Sequence, residues 1–158
     1  MSYLKTIKLS TVAVTFSAVP FSSNVAAEVQ QVELVGDSSE VSAIYRTSGG
    51  GFSAGIGIRI HFDSSQVTVT DVKDLYRESL VGFQVQNDVN DYDDDASTDS
   101  FVSAAWADMN VAWPSDPSVP VKLLVLELDS AVVGSQMNVT KTSKDSRYDF
   151  SGTGLLLN

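Results

Sequence analysis

The chain contains no cysteine, one histidine, four prolines and only ten basic side chains among its 158 residues. Without cysteine there is no disulfide framework, zinc–cysteine site, iron–sulfur cluster, thiol nucleophile or lipidated lipoprotein anchor. Ten basic against twenty acidic residues leave a formal charge of −10. That field repels phosphate, and the Lys and Arg residues form no stripe that would override it, so nucleic acid is excluded as a partner. A membrane-spanning run is missing too. The longest apolar stretch, Leu9 to Phe21, is about thirteen residues, where a spanning helix needs about 20.

That stretch has a different meaning. Lys5 and Lys8 precede it and Val25-Ala26-Ala27 closes it, the three-part pattern of a secretory signal peptide over residues 1–27. Cleavage leaves one domain, Glu28 to Asn158, and loss of the two lysines takes the charge from −10 to −12. The expected product is exported, with no membrane anchor, and resides outside the cell or in a periplasm. Lacking disulfides, it must draw stability from a packed core, a metal or a partner.

The mature region reads as strands. From Ser53 to Asp63, Ala54, Ile56, Ile58, Ile60 and Phe62 alternate with Gly55, Gly57, Arg59, His61 and Asp63, so five apolar residues share one face. A helix would scatter them, and β-branched isoleucine favours the pleated backbone. Shorter alternations cover Val29–Val35, Val41–Tyr45, Val67–Val69 and Val81–Gln86, and further strands start at Phe101, at Met137 and at Leu155. Val121 to Leu128 is apolar nearly throughout, as a central strand would be. Gly36-Asp37-Ser38-Ser39, Ser48-Gly49-Gly50-Gly51, Asp63-Ser64-Ser65, Gly134-Ser135 and Ser151-Gly152 supply turn chemistry between the runs. Asp71–Leu80 fits either one helical turn or a loop. About nine strands predict an all-β, two-sheet sandwich of the jelly-roll kind.

Chemistry concentrates between Gln86 and Phe101. Asp88, Asp91, Asp93, Asp94, Asp95 and Asp99 crowd six carboxylates into twelve residues. Neighbouring unit charges ~5 Å apart repel by about 3 kcal/mol at an effective dielectric of 20, and a bound cation reverses that sign. The spacing Asp91-x-Asp93-x-Asp95-x-x-x-Asp99, with Asp88, lets a curling loop aim oxygen ligands at one centre. Oxygen-only donors on a flexible loop suit calcium. It is no EF-hand, since Ala96 replaces the turn glycine, Val102 replaces the bidentate glutamate, and the flanks are strands.

The other candidate residues are few. His61 falls on the polar face of its strand and is expected at the surface. Trp106, within a strand, belongs to the core. Trp113, before Pro114 in a loop, and Tyr92 are the aromatics that would serve as an exposed contact for a sugar ring or a partner, with packing across a sandwich end as the rival role for Trp113. Asn138-Val139-Thr140 fits the glycosylation sequon. No nucleophile elbow, phosphate-cradling loop or zinc-helix motif is present, and a small sandwich with short loops has little material for a glycosidase cleft.

The run from Ser53 to Val72 is similar to the strand–turn–strand of cohesin-type domains, with a small-residue start, an aliphatic strand, an aromatic-Asp-Ser turn and a short second strand. Asp93–Asp108, followed by Trp113-Pro114 and Val121–Leu128, resembles the aspartate-loop-to-aromatic-strand stretch of exported cohesin-like proteins. The resemblance implies a nine-strand jelly-roll sandwich in the same broad superfamily as several carbohydrate-binding modules, with no enzymatic activity. Together these readings lead to an exported, calcium-binding, non-catalytic domain that works by binding. Its partner would be a copy of itself, an extracellular protein or a polysaccharide, and Val29–Val35 offers a strand for edge addition. A docking module of the cohesin type or a carbohydrate-binding module is the alternative.

Overall fold

The computed structural model describes residues 27–76 and 80–158. The expected signal peptide lies outside the described residues except for Ala27. Among the described residues there is no helix, and hence none long and apolar enough to cross a membrane. Ten strands occur in chain order: β1 (Glu28–Gly36), β2 (Glu40–Thr47), β3 (Gly55–Phe62), β4 (Val67–Lys73), β5 (Leu80–Asn87), β6 (Ser100–Ala107), β7 (Val121–Ala131), β8 (Gln136–Lys144), β9 (Tyr148–Thr153) and β10 (Leu155–Leu156).

They form two five-stranded sheets, ordered β4-β7-β2-β1-β9 and β10-β8-β3-β6-β5. This is the two-sheet sandwich that the alternation anticipates. Inward positions follow the period of two: Val32 and Leu34 on β1, Val41, Ala43 and Tyr45 on β2, Ile56, Ile58, Ile60 and Phe62 on β3, and Val102, Ala104 and Trp106 on β6. On β7, Leu123 to Leu126 are buried in succession, as its near-continuous apolarity implies. Close approach of β3 to β6 depends on Gly55, whose φ is +114° and where a Cβ would lie 2.0 Å from the carbonyl oxygen of Trp106.

Three sequence expectations change. Of the ambiguous 71–80 segment, residues 71–73 belong to β4 and Leu80 opens β5, while residues 77–79 lie outside the described residues. An unanticipated strand, β9, pairs parallel with β1, from Glu28 beside Tyr148 to Glu33 beside Thr153. It escapes pattern reading because it is a mostly exposed edge strand with Ser151-Gly152 inside it, which looks like a turn. As a result β1 lies between β2 and β9. Val29–Val35 is therefore not a free edge, and the strand addition expected there is ruled out because both flanks are already hydrogen-bonded.

Four turns share one device. The carboxylates of Asp37, Asp63, Asp95 and Asp116 each accept from the amide and the hydroxyl of the serine two residues on, at Ser39, Ser65, Ser97 and Ser118. These bonds, led by the hydroxyl, hold all four carboxyls below the ordinary aspartate range.

One end of the sandwich is sealed by a buried polar cluster beneath two aromatic rings. Gln30 has no exposed surface; its amide nitrogen lies 3.0 Å from the Tyr45 hydroxyl, 3.2 Å from the Ser53 hydroxyl and 3.0 Å from the Gly55 carbonyl oxygen. Its side-chain oxygen accepts from the Asp145 amide at 3.1 Å. The Asp145 carboxylate takes the Arg147 guanidinium and the Ala54 amide. Arg147 above all holds that carboxyl well below the usual range.

Trp113 closes the same end. Sequence reasoning offered it as an exposed contact, but it is only 1% exposed, so that role is corrected. Backbone bonds with Ser53 in both directions draw its loop inward. The indole packs 4.6 Å from the Tyr45 ring and stacks at 6.4 Å on Trp106, which is the sandwich-end packing that stood as its rival role.

Candidate functional site

The segment from Asp88 to Asp99 leaves β5 and folds back over the outer face of the second sheet. Its ends are joined by the Asp88 amide donating to the Asp99 carbonyl at 2.7 Å, and the Asp99 amide reaches the Phe62 carbonyl. Left-handed backbone at Asp91 (φ 52°) and Asp94 (φ 56°) makes the loop compact, a conformation that aspartate tolerates better than most residues.

This fold-back overturns the expected surface position of His61. On the alternating face of β3, the imidazole is wholly buried under the loop. Its Nδ1 lies 2.8 Å from Asp88 Oδ2 and its Nε2 lies 2.8 Å from the Thr140 hydroxyl. Since a carboxylate can only accept, Nδ1 carries a proton. Asp88 also accepts from the Tyr92 amide. Asp93 stands 3.7 Å from the same imidazole nitrogen and accepts from the Thr98 hydroxyl and from the Asn138 amide at 2.8 Å. The side chains of Asp88 and Asp93 are 0% and 2% exposed.

The five expected ligands separate into groups. Asp88 and Asp93 come together around His61, with ligand atoms of the three within 4.8 Å of one another. Asp95 joins from the side, sharing the Asn138 amide with Asp93. Asp91 contributes a backbone carbonyl to the loop's own turn. Asp99 points toward the β3–β4 turn, where the Ser64 hydroxyl and amide bind it at 2.7 and 2.8 Å and keep its carboxyl below the ordinary range. The donor set is not oxygen-only, because sequence reasoning missed the imidazole at its centre. The alternation that put His61 opposite the isoleucines was a usable sign of its face, but nothing in the sequence shows that the loop covers it.

Thr140, His61 and Asp88 follow the order of a nucleophile, base and orienting acid. Here the bonds close a network instead. The imidazole has no exposed surface at which a leaving group could collect a proton. The sequon is committed to the same network, since the Asn138 amide binds Asp93 and Asp95 while the Thr140 hydroxyl binds His61.

Beside the network is a second group of residues. Arg59, in register with Ser103 on β6 and Thr140 on β8, lays its guanidinium 3.8 Å from the centre of the Tyr92 ring and 5.3 Å from that of Phe101. Tyr92 meets Phe101 edge-on at 6.0 Å and its hydroxyl accepts from the Asn90 amide. It remains 45% exposed. Of the two aromatics expected at the surface, Tyr92 alone is there, with one face already covered by Arg59. The described depressions are open surface features. One of about 250 Å³ is lined by Gln31, Glu33, Arg46 and Ser151, and one of about 510 Å³ lies between Gly49-Gly50 and Pro117–Pro120.

No protein-family model and no curated protein matches this sequence. Solved structures do. The sixth cohesin of Acetivibrio cellulolyticus scaffoldin B, in complex with a Cel5 dockerin mutant, is similar over 84% of this chain and 100% of its own, at 14% identity and a TM-score of 0.49. CaCohA2 from Clostridium acetobutylicum is similar over 84% of this chain and 91% of its own, at 19% identity and a TM-score of 0.49. A non-cellulosomal cohesin from the archaeon Archaeoglobus fulgidus covers 84% of this chain and 92% of its own, at 13% identity and a TM-score of 0.42. At these identities no site residue is carried across.

Proposed function

We propose that this chain is an exported, non-catalytic binding domain that docks a partner protein on the outer face of the second sheet, around Arg59 and Tyr92. The observation behind this reading is the position of Arg59. In a chain with twenty acidic residues, the described ion pairs engage Arg46, Lys73, Lys122, Arg147 and His61, and Arg59, like Lys141 and Lys144, is in none of them. Its guanidinium sits over the ring of the exposed Tyr92, near the middle of a sheet face. Arginine and tyrosine so presented are the residue types that anchor protein interfaces, because little side-chain freedom is lost when they bind. The buried His61 network fixes the loop that carries Tyr92, so the anchor is pre-organised.

The test is retention of secreted proteins from the source cells on the immobilised domain, with Arg59→Ala and Tyr92→Ala alongside. The expected result is a protein held by the parent and released at least about tenfold more readily by each variant, which corresponds to about 1.4 kcal/mol. Equal retention by all three removes this face, and retention of an insoluble glycan instead favours the carbohydrate-binding reading.

A cation is the second element of the proposal. Asp88 and Asp93, with Asp95 alongside, are the carboxylates that would hold it, and calcium is the ion to test first. Zinc belongs in the same experiment, because the His61 imidazole is a ligand that zinc accepts and calcium does not favour. Occupancy at 100 times the dissociation constant would add about 2.7 kcal/mol to the folded state. A melting temperature raised by one of these ions and restored by chelator is expected; identical melting curves with calcium, zinc and chelator remove the cation.

A further inference from the structure

Sheet edges invite pairing by other strands, and folded proteins commonly blunt them with charge, proline, bulges or brevity. Among the described residues the free edges are β4 and β9 of the first sheet and β10 and β5 of the second. Three are blunted. β4 carries Asp71 and Lys73 and slips register twice against β7. β9 carries Asp149 and Gly152, and β10 has two residues.

The fourth edge is different. β5, Leu-Val-Gly-Phe-Gln-Val-Gln-Asn, has eight residues with no charge and no proline. Its one register shift falls near its start, so Gly82 to Asn87 run unbroken against β6 from Ala105 to Ser100. Uncharged, β-prone segments of this length are the ones that pair with their own kind. Val85 lies opposite inward-facing Val102 yet is 58% exposed. It overhangs a depression of about 110 Å³ shared with Val69, Thr70, Asp71 and Val72 of β4. On the other face the Gln86 amide donates to the Gln84 side-chain oxygen, leaving both glutamines with amide hydrogens to offer outward.

We infer that β5 is the self-association edge of this protein, pairing antiparallel with β5 of a second copy about a two-fold axis. The two five-stranded sheets then merge into one of ten. The occupant is a second copy because the pairing is self-complementary and because charge leaves few other ways for two such chains to meet. At a net charge near −12 for the mature form, most surfaces bring carboxylates face to face, whereas β5 brings none of its own. Backbone bonds supply the contact, and Val85 with Val69 and Val72 of the facing copies supplies apolar burial.

The experiment is sedimentation velocity on the mature chain from micromolar to millimolar concentration, with Gln84→Lys, Gln84→Glu and, as a control on the opposite edge, Ser151→Lys. Gln84 and Ser151 are exposed, and circular dichroism verifies that each variant is folded. The expected result is a concentration-dependent dimer that both Gln84 variants weaken by at least about tenfold, since like charges placed opposite each other in a ladder repel, and that Ser151→Lys leaves intact. A nitroxide on Gln84→Cys, in a chain with no other thiol, is expected to show dipolar broadening in the dimer. A monomer throughout overturns the inference. So does tighter association of Gln84→Lys with weaker association of Gln84→Glu, which would report general charge alone, or a labelled dimer without broadening.

Discussion

Replacing His61 with alanine is expected to lower the folding free energy by about 3–5 kcal/mol, the range for removing one partner of a buried charged or hydrogen-bonded pair. The imidazole is the group that allows the Asp88 and Asp93 side chains, 0% and 2% exposed, to sit together beneath the loop. Its loss also orphans the Thr140 hydroxyl and opens a cavity beside Phe101, whose ring centre is 5.5 Å from the imidazole. Urea unfolding measures the effect. A second change separates charge from packing. Asp88→Asn should destabilise the parent, because an amide meets Nδ1–H and the Tyr92 amide less well, yet it should restore about 1–2 kcal/mol to the His61→Ala background by removing an unpaired buried charge. A loss below about 1 kcal/mol for His61→Ala, or simple additivity of the two changes, would show that solvent reaches the network and that the loop does not depend on it.

Gln30→Leu is the second large effect, at about 4 kcal/mol. Leucine nearly matches glutamine in volume, so packing is largely kept while four buried contacts vanish. The Gly55 carbonyl and the Asp145 amide lose side-chain partners at 3.0 and 3.1 Å, and each buried orphan costs about 1–3 kcal/mol. The Tyr45 and Ser53 hydroxyls keep one another at 3.4 Å. For a domain of this size the loss appears as a fall of about 10–20 °C in melting temperature. Faster hydrogen exchange at the Asp145 amide would trace the loss to this cluster, and an unchanged melting temperature would refute the account.

The strand pattern of this sandwich was legible because burial on one face writes a period of two into the sequence. Ile56, Ile58, Ile60 and Phe62 declare β3 without help from any other segment. β9 was not legible, since a half-exposed edge strand has no apolar face to write, and Gly152 within it reads as a break. The same limit applies at the site. Crowded aspartates announce a loop that needs compensation, but whether cations, hydroxyls, amides or an imidazole supply it depends on which strand the loop covers. Ser64 took Asp99, Asn138 bridged Asp93 and Asp95, and His61 took Asp88, each from a segment 27 to 45 residues away in sequence. Trp113 failed for a related reason. A loop position says nothing of depth when the loop is the lid of a sandwich, and only its bonds to Ser53 turn the ring inward.

The parallel pairing of β1 with β9 has a mechanical consequence. Glu28 begins one end of the sandwich, and the chain finishes at the other, where the Asn158 carbonyl oxygen accepts from the Ser38 amide just beyond β1. A pull between these two extremities drags the first and last long strands past each other lengthwise, loading the rungs from Glu28 beside Tyr148 to Glu33 beside Thr153 at once. Peeling would break them singly. A domain strung between two tethers in this way resists extension collectively.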